Sequence, residues 1–189
     1  MRDLSLHILD IAQNSITAGA SVIEISVVED IVFNMLKILI CDNGCGMSAE
    51  IAARVINPPV IPENARSGRG VSLFKAACEA TSGVFELSSK PGSGTSVKAV
   101  FMTSHPNMLR LGAVNETMRL LIACNPEINF IYHRSKGKAE CTLDTRKMRK
   151  DLGWGSVPPG YRSVHSWLGE YMTWLDEYLA RQDIMFQSP

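Results

Sequence analysis

Asp10-Ile-Ala-Gln-Asn14-Ser-Ile-Thr-Ala-Gly19-Ala-Ser21, followed by Val22-Ile-Glu-Ile25, is the stretch on which the reading of this chain turns. Apolar residues at Leu4, Ile8 and Ile11, with Leu9, Ala12 and Ile16 beside them, recur at helical spacing and predict a helix over 4–17. Asp3 is the expected N-cap and Gly19 the stop. Val22–Val28 then alternates and is β-branched, so it reads as a strand. Asp10 and Asn14 are four apart and share one helix face. A carboxylate and an amide oxygen placed this way can hold Mg²⁺ and orient a water.

Three further segments belong with the first. Asp42-Asn-Gly44-Cys-Gly46-Met47 follows a second strand, Met35–Cys41. A carboxylate at that strand end can accept a hydrogen bond from an exocyclic amine such as that of adenine. Gly44 and Gly46 let the backbone approach a flat base with no Cβ in the way. Gly68-Arg69-Gly70 opens a helix over 70–81, whose free N–H groups favour phosphate. Gly92-Ser-Gly94-Thr95 opens the second of two strands, 84–88 and 96–102. A short helix over 48–55, capped by Ser48, and a Pro-rich loop over 57–67 lie between.

In order, spacing and context these four segments resemble the GHKL ATPase superfamily: gyrase B, the heat-shock chaperone ATPases, histidine kinases and MutL-type repair proteins. Asp10–Ser21 is similar to the MutL-type Asn motif, Asp42–Met47 to the D-x-G-x-G motif, and Gly68–Val71 to the second glycine motif at the ATP lid. Gly94-Thr95 resembles the third. The resemblance covers about residues 4–102. It implies a two-layer α/β sandwich, with a mixed, mostly antiparallel sheet and helices on one face, that binds ATP and Mg²⁺. It implies Asn14 as the Mg²⁺ ligand, Asp42 as the adenine reader, Met47 packed on the base and Thr95 helping at the adenine through water. Gly44, Gly46, Gly68, Gly70 and Val71 would complete the nucleotide site. Asp10 matches the general base of hydrolysing members, one methylene shorter than their glutamate. The lid departs from the pattern: it carries Asn57-Pro58-Pro59 and no lysine, which leaves Arg66 and Arg69 for the γ-phosphate.

The remaining observations bound the function. The 189 residues fit one domain, or one domain and an appendage. Nineteen basic groups balance nineteen acidic ones. Residues 1–103 hold 8 of the basic and 10 of the acidic groups, so neither half is basic enough for nucleic-acid binding as the main task. No apolar run approaches membrane-spanning length and no signal pattern opens the chain, so the cytoplasm is the expected compartment. Five cysteines without C-x-x-C argue against a disulfide framework, and Cys41 and Cys45 read as small buried residues. Composition shifts over 104–112, which divides the chain into an ATP-binding domain, 1–103, and a small α/β C-terminal region, 104–189. That region reads as a helix over 114–124, a hairpin (128–133 and 139–143), a helix over 145–152 and a last helix over 164–181.

Three clusters in the chain invite competing readings. His7 shares the face of Asp10 and reads as a structural, partly buried histidine, with a hydrogen bond to Asp10 as the alternative. The basic helix Arg146, Lys147, Arg149, Lys150 reads as a solvated face, with a contact to phosphate or to an acidic partner as the alternative. The stripe Trp167, Tyr171, Trp174, Tyr178 reads as a helix docked on its own domain, with a partner or homodimer surface as the alternative. With three residues before the first helix, a phosphoacceptor-histidine helix upstream is not expected. The chain is therefore read as a stand-alone histidine-kinase-like protein, either an ATPase or a Ser/Thr-type protein kinase with a protein partner and a regulatory task. The alternative is a non-catalytic module that senses ATP and changes its affinity for a partner.

Overall fold

A computed structural model describes residues 3–58, 70–151 and 161–185. Helix α1 (Leu4–Thr17) leads into strands β1 (Val22–Asp30) and β2 (Met35–Asp42), then helices α2 (Ala49–Ile56) and α3 (Gly70–Glu79). Strands β3 (Val84–Lys90) and β4 (Gly94–Met102) follow, then α4 (Val114–Cys124), β5 (Asn129–Lys136), β6 (Ala139–Asp144), α5 (Thr145–Asp151) and α6 (Tyr161–Met185). The strands form one sheet in the order β3-β4-β2-β1-β5-β6. Among the described residues, only β1 and β5 run parallel; the other four pairs are antiparallel.

The alternation read from the sequence decides which face is covered. Ile23, Ile25 and Val27 of β1 and Leu36, Ile38 and Ile40 of β2 are buried, while Glu24 and Lys37 between them are exposed. The helices α1, α3, α4 and α6 send Leu4, Ile8, Phe74, Met118 and Leu175 into that same core. Phe74 is fully buried, with ring centroids 5.7 Å from His7, 6.2 Å from Phe85 and 5.6 Å from Phe101. It joins α1 and α3 to strands β3 and β4. Phe74→Ala should cost about 3–5 kcal/mol and lower the melting temperature by about 6–20 °C, read by thermal unfolding. A loss under about 1 kcal/mol would contradict this packing.

The described residues after 103 are built onto this sheet and core. The whole of β5 pairs with β1, from Val22 opposite Asn129 to Glu29 opposite Lys136. The segment before α4 also finishes α1: Arg110 and Leu111 carbonyls accept from the Leu4 and Ser5 amides at 3.0 and 2.9 Å. The compositional shift over 104–112 therefore marks a connection between elements of one sheet. Asp3 takes the cap position by backbone conformation, but its side chain makes no cap bond and pairs with Arg110 instead. Ser48 does cap α2, accepting from the Ile51 amide.

Several local expectations need correction. Arg149 does not lie on a solvated face: its guanidinium donates to the Asn129 side chain at 2.9 Å and to the Pro126 and Ile128 carbonyls. Arg146 folds back on Asp144 and holds that carboxyl below its usual range. In α6 the docked face is Leu168, Met172, Leu175 and Leu179. Here the expected docking holds: Trp167, Tyr171 and Tyr178 of the aromatic stripe are partly buried against the same core, Trp167 stacks on Tyr171 and Trp174 on Tyr178, and Trp174 is half exposed. Cys45 is exposed and Cys41 half-buried, so neither is the fully buried residue expected of them. His7 is fully rather than partly buried, packed against Phe74. Among the described residues no helix is long and apolar enough to cross a membrane.

Candidate functional site

Antiparallel pairing of β2 with β4 brings Asp42 opposite Thr95. The β-rich sequence of both strands thus places two polar residues, 53 positions apart, at one end of a hydrophobic sheet. The Asp42 carboxylate is fixed there by three donors. Its Oδ1 accepts from the Gly44 amide at 2.9 Å and the Thr95 amide at 3.2 Å, and its Oδ2 accepts from the Ser15 hydroxyl at 2.7 Å. A carboxylate offers about four acceptor sites, so one is left over.

Above this carboxylate opens a cleft of about 230 Å³ between the sheet and helices α1, α2 and α3. Its walls are mostly apolar: Ile11, Ile40, Met47, Val55, Val71, Leu87 and Val97. Asn14, Ser15, Asp42 and Thr95 supply its polar groups. An apolar slot with a carboxylate at its floor suits a flat heteroaromatic ring that carries an amine.

Two glycines shape the lower rim by close backbone approach. Gly46 has φ +64° and Gly94 φ +87°, and a Cβ would stand 2.0 Å from the Lys90 carbonyl oxygen or 1.9 Å from that of Asp42. No side chain fits either position. Asn43 ties the same loop to the start of β1, its side-chain oxygen accepting from the Ser21 and Val22 amides at 2.9 Å.

The structure gathers Asn14, Asp42, Gly46, Met47, Val71 and Thr95 around one cleft. Asp10 does not line it. That residue lies one turn earlier on α1, half-buried, against the first residue of α3; a Cβ on Gly70 would be 3.0 Å from the Asp10 Cβ. Gly44 braces α1, where a Cβ would meet the Ala18 Cβ at 2.9 Å. Arg66, Gly68 and Arg69 lie outside the described residues.

Ser15 and Ser89 were not singled out by sequence. Ser15 is buried and holds Asp42. Ser89 accepts from the Met47 amide at 2.8 Å, donates to the Gly94 carbonyl at 3.0 Å and lies 2.9 Å from the Thr95 hydroxyl. Among the described residues no three His, Cys, Asp or Glu side chains converge as a metal cluster. Mg²⁺, which keeps waters and takes only one or two protein ligands beside substrate phosphates, does not require one.

The solved structures to which the chain is similar include the Aquifex aeolicus MutL ATPase domain complexed with ADP, at 14% identity over 77% of this chain and 67% of that one, with a TM-score of 0.47. Another is the N-terminal domain of a DNA repair protein, at 13% identity over 87% of this chain and 56% of that one, with a TM-score of 0.54; this second likeness shows a shared fold. The chain thus spans little more than half the length of that relative. No curated protein matches. The model of the histidine kinase-, DNA gyrase B- and HSP90-like ATPases matches residues 2–105, more than half of the chain. The chain belongs to that family and carries its ATP-binding domain.

Proposed function

We propose that the chain binds Mg-ATP in this cleft and turns it over, by hydrolysis or by transfer to a Ser or Thr hydroxyl of a protein partner, as a cytoplasmic regulator. The observation that carries the reading is the one acceptor site left on a carboxylate whose other sites are filled by Ser15, Gly44 and Thr95. That site would accept from the adenine amine. Met47 and Val71 would pack on the faces of the base, and Thr95 would hold a bridging water at its edge.

From the floor of the cleft, phosphates would run along α1 past Asn14 toward the start of α3. Asn14 is exposed on the cleft wall and offers an amide oxygen. Asn14 would hold Mg²⁺, an oxygen-seeking ion that, when bound, neutralises phosphate charge. Asp10, at the base of α3, would accept the proton of the attacking water or hydroxyl. Gly70, at the start of α3, would present helix N–H groups to the phosphates, and Arg66 and Arg69 would contribute positive charge at the γ-phosphate.

Thermal unfolding with and without millimolar Mg-ATP tests the reading. A ligand at about 100 times its dissociation constant adds about 2.7 kcal/mol. That should raise the midpoint by about 5–10 °C for a chain of this size. Asn14→Ala should lose the part of the shift that depends on Mg²⁺. Folded wild-type protein that shows no shift would overturn the assignment.

A further inference from the structure

We infer that Ser89 is a positioning residue that sets the hydrogen-bonding sense of the Thr95 hydroxyl and so contributes to selection of an amino-purine over an oxo-purine. The inference rests on the proposed placement of the base over Asp42.

The argument is a proton count. Ser89 has one O–H to give and two lone pairs to accept with. The Gly94 carbonyl can only accept, so the 3.0 Å contact takes the Ser89 proton. The Met47 amide can only donate, and at 2.8 Å it fills one lone pair. The remaining contact, 2.9 Å to Thr95, must then be donated by Thr95. Thr95 therefore spends its own proton on Ser89 and presents only lone pairs to the cleft. Its backbone amide is already committed to Asp42.

A group or water next to Thr95 is thereby required to bring a hydrogen. The 6-amino group of adenine does so directly, and through a bridging water it leaves that water one hydrogen to spare; the 6-oxo group of hypoxanthine brings none, and through the water it takes the second hydrogen as well. Ser89 also ties the Met47 amide, on one side of the base, to the β3–β4 turn on the other. Without the serine hydroxyl, Thr95 is free to rotate and donate to an oxo group.

The test is titration of the full chain with Mg-ATP and Mg-ITP, with ITP as the oxo-purine probe. Ser89→Ala should reduce the preference for ATP over ITP by about five- to tenfold, the worth of one hydrogen bond. Ser89→Cys, which keeps the shape but bonds weakly, should move the ratio in the same direction, and Ser89→Thr should restore it. Thermal unfolding checks that each variant is folded. If the alanine and cysteine variants weaken ATP and ITP equally, the serine is only a structural tie and the inference falls. If wild type shows no preference between the two nucleotides, it is the placement of the base over Asp42 that fails.

Discussion

Asp10→Asn is expected to remove turnover and leave ATP binding in place. Asparagine keeps the size and shape of aspartate but cannot take a proton, and a positioned general base is worth about 10²–10⁴ in rate. Asp10 sits half-buried on α1 against the first residue of α3, one turn from Asn14, and outside the apolar cleft. Its replacement therefore leaves the floor of the cleft, built by Ser15, Asp42 and Thr95, intact. Single-turnover assays should show the loss, and titration should give a dissociation constant within about twofold of wild type. If the variant hydrolyses or transfers at the wild-type rate, Asp10 is not the base. If wild type itself binds ATP without turnover, the chain is the ATP-sensing module, and the nucleotide's effect is to be sought in a partner's affinity.

The parts of the fold that were legible are those written in local periodicity. Alternating β-branched residues mark β1 and β2, and the helical spacing of Leu4, Ile8 and Ile11 marks α1, because each element must bury one face. Strand ends ran further than expected: β2 extends to Asp42 and β4 begins at Gly94, since the ladder between them continues through Asp42 and Thr95. That extension is what fixes the floor of the site. The parts that were not legible depend on distant partners. Ser15 meets Asp42 across 27 positions and Ser89 meets Met47 across 42, and a lone serine has no periodic signature. The pairing of β5 with β1 is likewise invisible in a composition that shifts between them; a parallel partner is chosen by the core, not by a turn. Arg149 looked like one of four surface cations because only the folded chain brings the Pro126 and Ile128 carbonyls to it.

Asp42→Asn should weaken ATP by about 100-fold while leaving the protein folded. Oδ1 of the asparagine can still accept from the Gly44 and Thr95 amides, as the aspartate does at 2.9 and 3.2 Å. Its amide nitrogen can donate to Ser15, whose hydroxyl then turns to the Ile11 carbonyl, already 3.3 Å away. The tertiary bonds are thus conserved with one reversal. At the ligand the reversal is costly: the second N–H stands where the free lone pair stood, facing another N–H of the adenine amine. Loss of a hydrogen bond to a charged acceptor is worth about 1.5–3 kcal/mol, and the donor-to-donor contact adds to it. The same N–H suits an oxo group, so ITP should gain relative to ATP and the order of preference should invert. Titrating both nucleotides against a variant shown to be folded separates this from general damage, which would weaken both alike. Retention of tight, ATP-selective binding by Asp42→Asn would mean that the base is read elsewhere and that the carboxylate serves only to hold α1, the Gly44 turn and β4 together.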